Sequence, residues 1–253
     1  MREELTHCPA CLKKDISFYQ SVKDFSTSKE VFDIWSCGHC SHLFTNPRVK
    51  EDLVGPYYDN PDYISHTDDD TSVFAKVYQF LREINLNWKH GHVQKYAEGK
   101  SLLDYGCGTG QFMQKMASKG YEVQGVEINE GAREKASKFG SVYSAVSEVK
   151  DGVDAITMWH VLEHVYNLDE LLQAFKSKLK NNGTLLIAVP NPESHDAQHY
   201  GVHWAAWDTP IHVHHFTKKS MKTVLERNGF ELQEVLPMSL DSYYISLISE
   251  QYK

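Results

Sequence analysis

From residue 73 onward the apolar positions alternate between two periods. Val73, Phe74, Val77, Phe80, Leu81 and Ile84 recur three and four apart, which predicts an amphipathic helix. The run "SLLDY" (101–105) predicts a short buried strand, followed by a helix through about Lys119 that Gly120 stops. "YEVQGVEI" (121–128) reads as a second strand, "NEGAREKASKF" (129–139) as a helix, and "SVYSAV" (141–146) and "VDAITMW" (153–159) as strands three and four. The next helix is capped by Asn167, carries Asp169 and Glu170 at its positive end and Lys176, Lys178 and Lys180 at the other, and is terminated by "NNG" (181–183). "GTLLIAVP" (183–190) is a fifth, fully buried strand. "TKKSMKTVLERN" (217–228) is a helix capped by Thr217, and "GFELQEVLP" (229–237) is a sixth strand. "SYYISLI" (242–248) suits a closing strand by propensity and a helix by spacing; the helix is preferred.

Strands alternating with helices predict an α/β fold, a Rossmann-like, mostly parallel sheet with helices on both faces. Such sheets bind ligands at the carboxyl ends of the strands, beside the first one. Residues 1–46 lack this periodicity and form a separate module. Residues 47–72, rich in Pro, Tyr, Asp and Gly, read as a connector, and 73–253 as the α/β domain.

The glycine loop "YGCGTGQF" after the first strand decides the ligand class. It lacks the Gly-Lys-Ser/Thr ending of a nucleoside-triphosphate loop and the G-x-G-x-x-G spacing of a dinucleotide site. Asp104, two residues before Gly106, would repel a pyrophosphate and attract an ammonium group. Glu127, ending the second strand, is placed to accept hydrogen bonds from ribose hydroxyls. S-adenosylmethionine has a ribose, a positive charge and no phosphate. Cys107 within the loop is either a reactive thiol at a helix N-terminus or a small side chain filling the turn.

These residues resemble those of the class I methyltransferases: "LLDYGCGTGQF" is similar to their first motif, "VEIN" to their second, and "DAITMWHVLEHV" (154–165) to the segment after their fourth strand. The resemblance covers residues 73–236 and implies cofactor contacts from Asp104, Gly106, Gly108, Gly110, Glu127, Ile128 and His160. An acidic residue for adenine after the third strand is out of register, with only Glu148 or Asp151 on offer.

"CPAC" (Cys8, Cys11) and "CGHC" (Cys37, Cys40) are two C-x-x-C knuckles, whose four thiolates can close a tetrahedral, structural zinc site with no open position. The alternative, a redox pair, lacks a thioredoxin-like setting. "WSCGHCSHLFTNP" with "YYDNPDYISH" resembles the N-terminal region of sugar C-methyltransferases and related bacterial enzymes. It implies that Tyr58, Tyr63 or His66 approaches cofactor or substrate, as an alternative to packing between domains.

Six histidines fall in "SHDAQHYGVHWAAWDTPIHVHHF" (194–216), the region that lies over the acceptor pocket in a class I fold. Tyr200, Trp204 and Trp207 are candidates to stack on a ring or sugar face. His212 and His215 match a P-x-H-x-x-H-F pattern found in small-molecule methyltransferases and are the candidate general bases. The competing readings are histidines that cap or pack, or a second metal site from His212, His214 and His215. His160 and His164 are read as lining the cofactor pocket, and Glu163 as tying its loop together.

The formal charge of −8 is concentrated in residues 51–75, which hold seven carboxylates and neither lysine nor arginine. No basic stripe suited to many phosphates is present, so nucleic acid is a disfavoured substrate. No span of 18 to 20 apolar residues and no signal-peptide core occur, and a cytoplasmic protein is expected. The expected function is methyl transfer from S-adenosylmethionine to a small molecule, a nucleotide- or lipid-linked sugar or related metabolite first in line. An RNA methyltransferase docking through the ribbon and a non-catalytic cofactor-binding protein are the alternatives.

Overall fold

The computed structural model describes residues 1–58 and 73–253, the side chains of 73–78 excepted. The described residues group into two compact units, one drawn from Met1–Asp68, Leu162–Leu168 and Val189–Lys253, the other from Asp69–Val161 and Asp169–Ala188. The first unit opens with strands β1 (Arg2–Glu3), β2 (Ile16–Lys23), β3 (Val31–Cys37), β4 (Leu43–Thr45) and β5 (Arg48–Val49). The second contains α1 (Val73–Tyr96), β6 (Ser101–Tyr105), α2 (Gln111–Ser118), β7 (Glu122–Val126), α3 (Glu130–Ala136), β8 (Ser141–Tyr143), β9 (Val153–Trp159), α4 (Leu168–Lys178) and β10 (Leu179–Ala188). The first unit is completed by α5 (His195–Tyr200), β11 (His214–His215), α6 (Lys218–Arg227) and α7 (Ser239–Tyr252).

The second unit is a five-stranded parallel sheet in the order β10-β9-β6-β7-β8. The chain steps outward from β6 through β7 to β8, then returns to β9 and β10 on the other side. The carboxyl ends of β6 and β9 therefore flank the switch point where such sheets bind ligands. Leu102, Val123 and Ala155 from the strands pack with Phe112, Met113 and Met116 of α2 and with Val93 of α1 to form its core. Gly120, in the left-handed region at φ +77°, ends the turn after α2, and the Asn129 side chain accepts from the Ala132 N–H at the start of α3.

Three sequence expectations change here. Residues 229–237 form no strand and belong to the first unit; Val235 is exposed. The "NNG" stretch lies inside β10 instead of ending a helix. Its irregular pairing with β9 between Leu179 and Thr184 absorbs the turn. Helix α1 forms where its period predicts, yet Phe80, Leu81 and Ile84 are exposed, and among its described side chains Val93 is the fully buried one. Residues 242–248 are helical, within α7.

In the first unit, β11-β4-β3-β2 form an antiparallel sheet and β1 pairs with β5. Val22, Ile34, Leu43, Trp204 and Trp207 make one core cluster, and Phe32, Val49, Val54 and Ile211 another. Thr217 caps α6 by accepting from the Ser220 N–H at 3.0 Å, as its sequence predicts. No helix among the described residues is long and apolar enough to cross a membrane.

Candidate functional site

In the second unit the loop between β6 and α2 is built on backbone that only glycine adopts without strain. Gly106, Gly108 and Gly110 have φ of +73°, +53° and +83°. A Cβ on Gly106 would meet Val161 at 2.5 Å, and one on Gly110 would meet the Ala136 backbone at 2.7 Å. Gly108 has nothing within 4 Å of that position, so its inner face is open space. The Gly106 and Cys107 N–H groups both donate to the Val126 carbonyl, at 2.8 and 3.1 Å, which holds the loop against the end of β7.

Asp104 is 2% exposed and accepts from the Thr157 hydroxyl at 2.8 Å. Burial pushes its carboxyl up to about 7, against the opposing pull of that hydrogen bond and of Lys89. Glu127 accepts from Gly108 N–H on one oxygen and from Asn129 N–H on the other, both at 2.9 Å. A carboxylate has about four lone-pair sites, so each oxygen keeps one for a pair of vicinal hydroxyls. Ile128 is 83% exposed beside it, an apolar face suited to a flat base. Arg133 donates to the carbonyls of Glu127 and Ile128 and fixes that turn.

His160, just past β9, has φ +60° and donates its N–H to the Ala188 carbonyl at 3.0 Å. A non-glycine residue held there costs on the order of 1 kcal/mol or more, the kind of strain found at ligand sites. Cys107 is buried, and desolvation pushes its thiol up to about 12, which favours the turn-filling reading over a reactive one. Glu148 accepts from Ser144 Oγ and Ala145 N–H, and Asp151 pairs with Lys178, so both are engaged locally.

In the first unit the Sγ atoms of Cys8, Cys11, Cys37 and Cys40 all lie within 4.8 Å of one another, with Cys8–Cys40 at 3.6 Å and Cys11–Cys37 at 3.5 Å. With Zn–S bonds of about 2.3 Å a tetrahedron has edges of about 3.8 Å, so the donor set fits zinc. The residue after each pair, Leu12 and Ser41, is left-handed at φ +63° and +60°, giving two equivalent knuckles. The Cys40 thiol is drawn down to about 5 by the sulfur of Cys8, whose own thiol is pushed far up.

The same unit gathers a second polar cluster. Glu163, 1% exposed, and His164 sit on a short 3-10 turn (Leu162–His164). Their ligand atoms and one of His212 lie within 4.8 Å of one another. The His164 and His212 rings meet edge-to-face at 4.6 Å, whereas His212 and His215 are 6.4 Å apart. His164 Nδ1 donates to the Ile211 carbonyl at 3.0 Å with the Tyr58 hydroxyl at 3.2 Å, and His212 Nδ1 donates to Ala206 O at 3.0 Å. Asp208, left-handed at φ +35°, brings an oxygen to 3.9 Å from His212 Nε2; burial pushes its carboxyl up to about 7. Burial also lowers His164 to about 4.

Other predicted residues lie elsewhere. His215 packs edge-on against Trp207 with its Nε2 buried and without a hydrogen-bond partner among the described residues. His214 turns to His42, which is fully buried after the second cysteine pair: His42 Nε2 and His214 Nδ1 are 3.1 Å apart, and His214 Nε2 reaches Val165 O. That arrangement separates His214 from His212 and His215, against the competing reading of the three as a metal site. Trp204 is a core residue edge-on to Trp207, and the Tyr200 hydroxyl donates to Glu250 of α7. Tyr63 and His66 lie outside the described residues. Glu163 and Asp208 were not singled out for chemistry by the sequence; the "LEH" spelling in 162–164 was the available signal.

Comparison with known proteins accords with this geometry. The pattern of a family described as "Methyltransferase domain" matches residues 78–235. A ubiquinone biosynthesis O-methyltransferase of Nitrosospira multiformis is 27% identical over 179 residues, 63% of this chain and 74% of that protein. Among solved structures, a SAM-dependent methyltransferase of Archaeoglobus fulgidus superposes with a TM-score of 0.50 at 22% identity, over 72% of this chain and 91% of that one. The magnesium protoporphyrin IX methyltransferase of Synechocystis with bound S-adenosylhomocysteine superposes at 0.54 and 14% identity, over 73% and 91%. The chain belongs to the methyltransferase-domain family and is a class I, S-adenosylmethionine-dependent methyltransferase.

Proposed function

We propose that the chain transfers the methyl group of S-adenosylmethionine to a hydroxyl or acidic carbon of a small molecule, a nucleotide- or lipid-linked sugar or a related metabolite. The observation that carries this reading is the open inner face of Gly108 beside Glu127, whose two oxygens each keep a lone pair, with Asp104 buried at the end of β6. Bound there, the cofactor supplies a methyl group on a positively charged sulfur. Glu127 would hold the ribose hydroxyls, Ile128 the adenine face, and Asp104 the amino group, with the glycine backbone and His160 completing the pocket. The Nitrosospira relative's name, an O-methyltransferase, supports a hydroxyl acceptor. Cys8, Cys11, Cys37 and Cys40 would hold a structural zinc ion in a module over residues 1–46.

His212 and His215 are assigned to acceptor activation, with His164 and Glu163 beside His212. Tyr63, His66 and Tyr200 are the residues assigned to acceptor binding. Replacing His212 by alanine should lower turnover about 100-fold or more, the usual share of proton transfer, with a smaller loss for His215→Ala. Cofactor affinity measured by calorimetry should stay within about twofold in both. Turnover unchanged in both variants would remove these histidines from the reaction. The acceptor class is tested by incubating the protein with sugar nucleotides, quinols and RNA and measuring which yields S-adenosylhomocysteine.

Binding should also depend on pH. Asp104 is largely protonated below pH 7 and must ionise to receive a cation. Affinity for S-adenosylhomocysteine should therefore rise up to about tenfold per unit from pH 5 to 7 and level off above. Asp104→Asn should weaken binding and flatten the profile; an unchanged slope in that variant would assign the proton to another group. Stability of the free protein runs the other way. The carboxyl is raised above its unfolded value, so its contribution falls as pH rises from about 4 to about 7.

A further inference from the structure

We infer that Glu163, His164 and His212 form a binding site for a divalent metal ion, separate from the cysteine cluster, with Asp208 at its edge. Two main-chain carbonyls fix the imidazole tautomers. A main-chain carbonyl can only accept, so the contacts of His164 Nδ1 with Ile211 O and of His212 Nδ1 with Ala206 O require N–H at both positions. Each neutral ring then carries its lone pair on Nε2. This is the arrangement in which metal-ligating histidines are held, with the far nitrogen anchored to a carbonyl. The side chains meet almost edge-on at 4.6 Å, and a ligand atom from each lies within 4.8 Å of a Glu163 carboxylate oxygen. Glu163 is 1% exposed and His212 is 7% exposed, so these two donors are removed from bulk water, and His164 beside them is half-buried. The Val213 N–H donates to the Glu163 carbonyl at 2.9 Å, which pins the two loops together.

Two imidazoles and one or two carboxylates suit Zn²⁺, Fe²⁺, Co²⁺ or Mn²⁺ better than Mg²⁺ or Ca²⁺, which prefer oxygen alone. Unlike the four cysteines, the set leaves coordination positions for a ligand oxygen. A cation there would lower the pKa of an acceptor hydroxyl. That use rests on the acceptor-activation reading above, with His212 then serving as a ligand through Nε2 in place of a general base; the metal binding itself does not.

The test is titration with Co²⁺ of protein that carries one Zn²⁺ per chain, held by the four cysteines. One additional Co²⁺ should bind per chain, with visible d–d bands and no thiolate charge-transfer band in the near ultraviolet. Glu163→Gln and His212→Ala should each weaken that binding at least about tenfold. Their zinc content and affinity for S-adenosylhomocysteine, both unchanged, would report that they fold. No cobalt beyond the cysteine site, or equal binding in both variants, would overturn the site. Methyl transfer that persists unchanged in a chelator shown to empty this site would overturn its use in activation while leaving the acceptor reading intact.

Discussion

Replacing Cys8 and Cys40 together by serine should leave a protein that holds no zinc and cannot keep the cysteine-bearing unit folded. Those two sulfurs are 3.6 Å apart, and both residues are at most 1% exposed. A structural zinc site contributes about 10–16 kcal/mol in small zinc-folded peptides, against a total stability of about 5–15 kcal/mol for an ordinary domain. The loss should therefore reach beyond the knuckles. Arg227 of α6 reaches the Pro9 carbonyl, and Lys219 donates to the carbonyl of His39, so the far end of the sequence leans on both cysteine loops. Metal analysis should give one zinc per chain in the wild type and none in the double variant. Fluorescence of the buried Trp204 and Trp207 should shift to the red. Cys107→Ser, which touches no other cysteine, should change neither. A double variant with unchanged thermal midpoint and emission would show that the four thiols are not a folding element.

The second large effect concerns the glycine loop, where two neighbouring substitutions should separate binding from folding. Gly108→Ala places its methyl group in open space at φ +53°, so it costs only the backbone penalty of about 1–2 kcal/mol. Its effect on S-adenosylhomocysteine should nonetheless be about 100-fold or more, because the methyl occupies the face reserved for the ligand and disturbs the N–H that anchors Glu127. Gly110→Ala carries a similar backbone penalty and drives into the Ala136 backbone at 2.7 Å, so it should lower the thermal midpoint much further. Chemical denaturation and calorimetry on the same samples distinguish the two. Equal binding losses and equal stability losses would mean that the open face at Gly108 is not where the ligand sits.

The parallel sheet and its glycine loop were legible because they rest on local signals. β-branched runs and a stop such as Gly120 act within a few residues of themselves. The cysteine cluster was legible for another reason: two C-x-x-C pairs limit the chemistry whatever the fold. The segment at 229–237 failed because a strand requires a neighbour, and its alternation carries no information about whether one is present. Asp208 was missed, and Glu163 was read only as tying its loop together, because their meaning is relational. Each becomes chemical only when a turn at 162–164 and a left-handed residue at 208 bring them to His212 from 45 or more positions away or from within the same loop. Trp204 shows the converse. An aromatic residue in a histidine-rich loop reads as a stacking platform, and its burial against Trp207 places it in a core.

The most direct check is a pair of calorimetric titrations at pH 7.5, one with S-adenosylhomocysteine and one with NAD⁺, on the wild type and on Glu127→Ala. S-adenosylhomocysteine should bind the wild type at one per chain and Glu127→Ala at least about tenfold more weakly, with no heat from NAD⁺ in either. Binding of the pyrophosphate-bearing nucleotide, with none of the methyl donor's product, would contradict the assignment of this loop.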